Sequence, residues 1–107
     1  MRLVIVEHPY AGEVARNVLY ARKCLRDCIL RGEAPFASAL LYAQPGILDD
    51  DKPAERELGI YAGLAWCGKA DATVVYTDYD ISPGMQKGID YALFFGRPVE
   101  YRRLYGG

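Results

Sequence analysis

At 107 residues, with 51% hydrophobic and 25% charged side chains, the chain suits one compact globular domain over residues 1–107 rather than a disordered segment. Its net charge of −1 and pI near 5.8 lack the basic excess that grips polymeric DNA or RNA. No apolar run reaches the ~18 residues of a membrane span, whereas a small nucleotide stays compatible because one helix N-terminus and one arginine can hold it.

"RLVIVE" (2–7) is rich in β-branched residues and reads as a buried strand; "HPYAGE" follows with Pro9 and Gly12 as loop signals. Val14, Val18, Ala21, Leu25 and Cys28 recur at spacings of four and three, which predicts an amphipathic helix that stops near Gly32. "PFASALLY" (35–42) reads as a second strand, and "AQPGILDDDKPAERE" (43–57) as a long acidic surface loop. Pro53 opens a second helix. Its continuation, "LGIYAGLAWCG" (58–68), carries no charge, so it is expected to be covered on more than one side. Gly59, Ala62, Gly63 and Ala65 would let another helix come close, and a second subunit is the simplest cover, which predicts a homo-oligomer.

"ATVVYT" (72–77) is a third buried strand. Ser82 followed by Pro83 is an N-cap and first helical position, and that helix should run to about Phe95 before Gly96. "PVEYRRL" (98–104) is a fourth strand, placed at an edge by its alternating charges. The alternation predicts an α/β fold: a flavodoxin- or Rossmann-like three-layer sandwich with a four-stranded, mostly parallel sheet and three helices.

Cys24, Cys28 and Cys67 are read as small apolar packing residues, since no second His/Cys pair accompanies them. No metal site and no cofactor is expected. An odd cysteine count without a signal peptide fits a reducing cytoplasm.

In open α/β sheets, ligands lie beyond the carboxyl ends of the strands. The loop "DYDISPG" (78–84) there offers the carboxylates Asp78 and Asp80, the Ser82 hydroxyl, and the free amides of Gly84 and Met85 at a helix start, a set suited to an anion or a sugar hydroxyl. In the first loop, His8 is a candidate acid or base beside Pro9, Tyr10 a candidate stacking ring, Gly12 a turn, and Arg16 and Asn17 candidate partners for a phosphate or hydroxyl. Asp49, Asp50 and Asp51 read as a solvated acidic loop rather than a cation site.

Taken in order, "PY" after the first strand, Asn17, "ER" at 55–56, Trp66 and "S-x-G-M" at 82–85 resemble the nucleoside 2-deoxyribosyltransferase-like superfamily, in particular its small phage and bacterial domains. The resemblance implies a flavodoxin-like sheet, assemblies whose subunits share sites, and N-glycosidic chemistry on deoxynucleosides or deoxynucleotides. It also implies a glutamate nucleophile in the pattern S-x-G-x-x-x-E. Here that position is Gly88, which has no group to attack or stabilise an anomeric carbon. Asp90 lies about 200° further round the helix and does not replace it.

Three readings follow. The first is a protein that binds a nucleoside or nucleotide without glycosyl transfer, for instance to sequester a host signal if it is phage-encoded. The second is an N-glycosidase or deoxyribosyltransferase working through Asp78 or Asp80. The third is a structural homo-oligomer. None involves polymeric nucleic acid or a membrane.

Overall fold

The computed structural model describes residues 1–105. Strand β1 (Arg2–Glu7) is followed by α1 (Val14–Leu30), β2 (Glu33–Phe36), α2 (Ser38–Tyr42), α3 (Pro53–Cys67), β3 (Ala72–Tyr76), α4 (Pro83–Phe94) and β4 (Val99–Arg102). The sheet order is β2-β1-β3-β4 and every pairing is parallel. Helices cover both faces, which makes the fold the flavodoxin- or Rossmann-like sandwich expected. No described helix is long and apolar enough to cross a membrane.

One expectation needs correction. The segment 35–42 is not one strand: β2 ends at Phe36, and Ser38–Tyr42 forms a short fourth helix where three were expected. Pro35 is tolerated because β2 is an edge strand with one neighbour. After it the chain turns so that Leu40 packs on the core and Phe36 stacks near Trp66, with centroids 5.4 Å apart. In α3 the only residue buried within the chain is Cys67, while Leu58, Tyr61 and Trp66 are exposed. The close approach allowed by its small residues is made within the chain. A Cβ on Gly63 would sit 2.7 Å from Cβ of Ser38, and one on Gly59 would sit 3.3 Å from Leu48, so α2 and the following loop lie directly on this side of α3.

The two sheet faces bury different sets. Val4, Val6, Val74 and Tyr76 pack with Tyr20, Cys24 and Cys28 of α1. On the other face Val75 packs with Met85 and Ile89 of α4. Each such side chain contributes ~1.5–3 kcal/mol by leaving water. Cys24 and Cys28 are thus core residues, as read from their spacing. Gly32 (φ 84°) and Gly96 (φ 70°) end α1 and α4 in the left-handed conformation that glycine adopts without strain. Ser82 caps α4, its Oγ accepting from the Met85 N–H at 3.2 Å.

Candidate functional site

The loop after β1 is held by its own polar groups. His8 is buried, with Nδ1 2.8 Å from the Pro9 carbonyl, and burial lowers its pKa against the smaller upward pull of that hydrogen bond. Its Nδ1–H is therefore committed to the backbone. Gly12 turns the loop at φ 91°. Tyr10 donates its hydroxyl to the Ala43 carbonyl at 2.9 Å, tying the loop to the end of α2. Asn17 is buried and donates to the Tyr10 carbonyl at 2.9 Å, while Arg16 donates to its Oδ1 and lies 4.1 Å from the centre of the Tyr79 ring. Three of the candidate ligand groups thus shape the loop itself.

The loop after β3 splits between the two sheet faces. Asp78 points to the α1 side. Its Oδ1 accepts from the Tyr20 hydroxyl and from the Leu104 N–H at 2.9 Å, and its Oδ2 accepts from the Tyr105 N–H at 2.9 Å. Burial alone would raise its pKa, but these hydrogen bonds outweigh it and hold the carboxylate below its usual range. Asp78 therefore ties α1 to the segment after β4, with its lone pairs occupied. Asp80 is exposed and takes a positive φ of 65°. Ser82, Gly84, Met85 and Gly88 lie on the α4 side, with Met85 and Gly88 buried. Asp90 is exposed and accepts from Gln86 at 2.8 Å.

The group brought to Gly88 is Glu7, the last residue of β1. A Cβ built on Gly88 would overlap Oε2 of Glu7 and lie 2.9 Å from Oε1, so the carboxyl rests on the bare backbone of α4. Protein surrounds Glu7 on nearly every side, though a little of its surface stays accessible. No described residue hydrogen-bonds or ion-pairs with its side chain, and burial alone raises its pKa from 4.5 to about 8. An unpaired buried carboxylate is costly, so the group keeps its proton at neutral pH.

Glu7 lines a narrow cavity of about 70 Å³ together with Ser38, Leu64, Cys67 and Gly88. An open cleft of about 420 Å³ lies between the first turns of α3 and α4. The two share Ile60, Gly84 and Lys87 in their walls. Arg56 and Lys87 line the cleft, and neither ion-pairs with another described residue; Asp50, Asp51 and Glu57 share the rim. A broader trough of about 1150 Å³ runs between Gly12 and the acidic loop, away from Glu7. In that loop Asp49 accepts from the Asp51 N–H at 3.0 Å, which closes the turn, and no group of His, Cys, Asp and Glu able to hold a metal occurs among the described residues.

Sequence reading singled out Ser82, Gly84, Met85 and Gly88 on this face but missed Glu7 and Lys87. A signal for Glu7 was present. It follows Ile5 by two, so strand alternation puts it on the same covered face, and a charge there in an apolar strand needs an explanation.

The fold is shared with a solved 2-deoxyribosyltransferase from the psychrotolerant bacterium Bacillus psychrosaccharolyticus, described as a biocatalyst for the synthesis of antiviral and antitumoral nucleosides. The two superpose with a TM-score of 0.65 at 20% identity, over 98% of this chain and 74% of that one. No curated protein is significantly similar in sequence. The profile of one family spans nearly the whole chain, residues 2–102, and the chain belongs to that family, described as a domain of unknown function (DUF7768).

Proposed function

We propose that the chain binds a nucleoside- or nucleotide-type small molecule in the cleft between α3 and α4. The observation that carries this reading is the cleft itself. At about 420 Å³ it falls within the size range of small-molecule sites, it opens at the carboxyl end of the sheet, and it places two uncommitted cations beside the α4 N-terminus. Gly84 presents amide backbone with nothing within 4 Å of where a Cβ would be. Lys87, Arg56 and these amides suit a phosphate, and the rim carboxylates suit sugar hydroxyls or the N–H groups of a base. The shared fold with a 2-deoxyribosyltransferase points to the same ligand class.

A second reading, cleavage or transfer of an N-glycosidic bond, is favoured by the free carboxyl of Glu7 in the small cavity that adjoins the cleft. One experiment separates the two. The protein is incubated with 2′-deoxynucleosides and their 5′-monophosphates, then denatured by heat, and the supernatant is chromatographed. Intact ligand retained by the protein and released by heat supports binding. Free base accumulating with time supports glycosidic chemistry. Depletion of none of the compounds refutes both.

A further inference from the structure

We infer that Glu7, reaching α4 through the space left by Gly88, is the catalytic carboxyl of this cleft and donates a proton to the leaving nitrogen of an N-glycosidic bond. The inference rests on the glycosidic reading of the cleft. Three structural facts carry it. Glu7 has no partner among the described residues, so it does not serve as an ion-pair or hydrogen-bond anchor, in contrast to Asp78. It lies at the carboxyl end of a central strand and lines a cavity that shares Ile60, Gly84 and Lys87 with the larger cleft. The glycine against it sits inside a helix, where glycine costs about 1 kcal/mol relative to alanine, and any side chain there would displace the carboxyl.

The charged and titratable groups around Glu7 leave it neutral. Cys67 faces it from α3, and its thiol is raised chiefly by burial. Lys87 stands in the cavity wall on α4 without a salt bridge to Glu7. Arg97, after α4, donates to the Cys67 and Ala70 carbonyls instead. His8, next in the chain, is bonded to Pro9. Burial holds the acid form to about pH 8, which suits proton donation near neutrality.

In the step, the C1′–N bond breaks and its electron pair goes to the base nitrogen, which takes the Glu7 proton. Water adds to C1′, and the proton it loses returns to the Glu7 carboxylate. One water is consumed and no redox partner is needed.

The test is base release from 2′-deoxynucleosides and their 5′-monophosphates by the unmodified protein and by Glu7→Gln, with binding of the same compounds measured by calorimetry. Glu7→Gln keeps the shape but not the acid. Release should fall at least ~100-fold with affinity changed only a few-fold. In the unmodified protein, release should decline as pH rises through about 8. Undiminished release by Glu7→Gln overturns the inference, as does a rate that climbs with pH, since an ionised nucleophile would then be at work. Ligand bound by the unmodified protein but never cleaved also overturns it, while leaving the binding reading intact. The absence of any bound ligand removes both.

Discussion

Glu7 should leave a signature in stability that needs no substrate. A glutamate in the unfolded chain titrates near 4.5, and burial raises that of Glu7 to about 8 in the folded protein. The folded state therefore binds this proton more tightly than the unfolded chain. Its contribution is complete below pH 4.5 and is lost as pH rises toward 8, because ionisation then penalises only the folded state. At 1.36 kcal/mol per pKa unit, the interval corresponds to ~4–5 kcal/mol, and movement of the side chain toward the cleft would reduce it to ~3 kcal/mol. Glu7→Gln removes the titration while keeping size and polarity. Urea unfolding of both proteins across this pH range supplies the difference in stability, in which all other groups cancel. The unmodified protein should lose ground to the variant by up to ~1.4 kcal/mol per pH unit between 4.5 and 8, with plateaus on either side. A difference that does not vary with pH, or that favours the unmodified protein as pH rises, would refute a buried, unpaired Glu7.

Gly88→Ala should stabilise by ~1 kcal/mol in a Glu7→Ala background, where the space is free, and by clearly less in the unmodified protein; equal effects in a double-mutant cycle would disprove the contact. Asp78→Ala strips acceptors from the Leu104 and Tyr105 amides and from Tyr20, and should cost ~2–4 kcal/mol in chemical denaturation; a loss under ~0.5 kcal/mol would mean the tie is not formed. Ser82→Ala should cost ~1 kcal/mol through the lost α4 cap and weaken 5′-monophosphates more than nucleosides; identical losses for both ligand types would remove the anion seat.

Much of the fold was legible because its elements have clean periods. The four-three spacing from Val14 to Cys28 gave α1, and the capped Ser82-Pro83 gave the start of α4. The stretch 35–42 was not, because a short apolar run fits a strand or a helix equally well, and only the packing of Leu40 and the Ser38–Gly63 approach decide for α2. The face taken by Asp78 was invisible for a similar reason. Its partners Tyr20, Leu104 and Tyr105 lie far away in the chain, and no local pattern announces them.

Gly88 shows how a correct local reading can mislead. The sequence shows a helix position without a carboxyl, which suggests a lost function. The structure shows a carboxyl in contact with that position, supplied by β1. The two residues form one arrangement, because the glycine is what lets Glu7 lie against α4. Putting a glutamate at 88 therefore does not restore the nucleophile that the pattern S-x-G-x-x-x-E implies. Gly88→Glu alone would drive its Cβ into the Glu7 carboxyl and bring two acids together in a site that already disfavours one charge. It should destabilise the protein and add no activity. Combined with Glu7→Gly, the same change moves a single carboxyl from strand to helix and should recover most of that stability. Thermal unfolding of the three variants distinguishes the cases: if Gly88→Glu is as stable alone as in the double variant, the two positions do not share the space and the exchange is wrong.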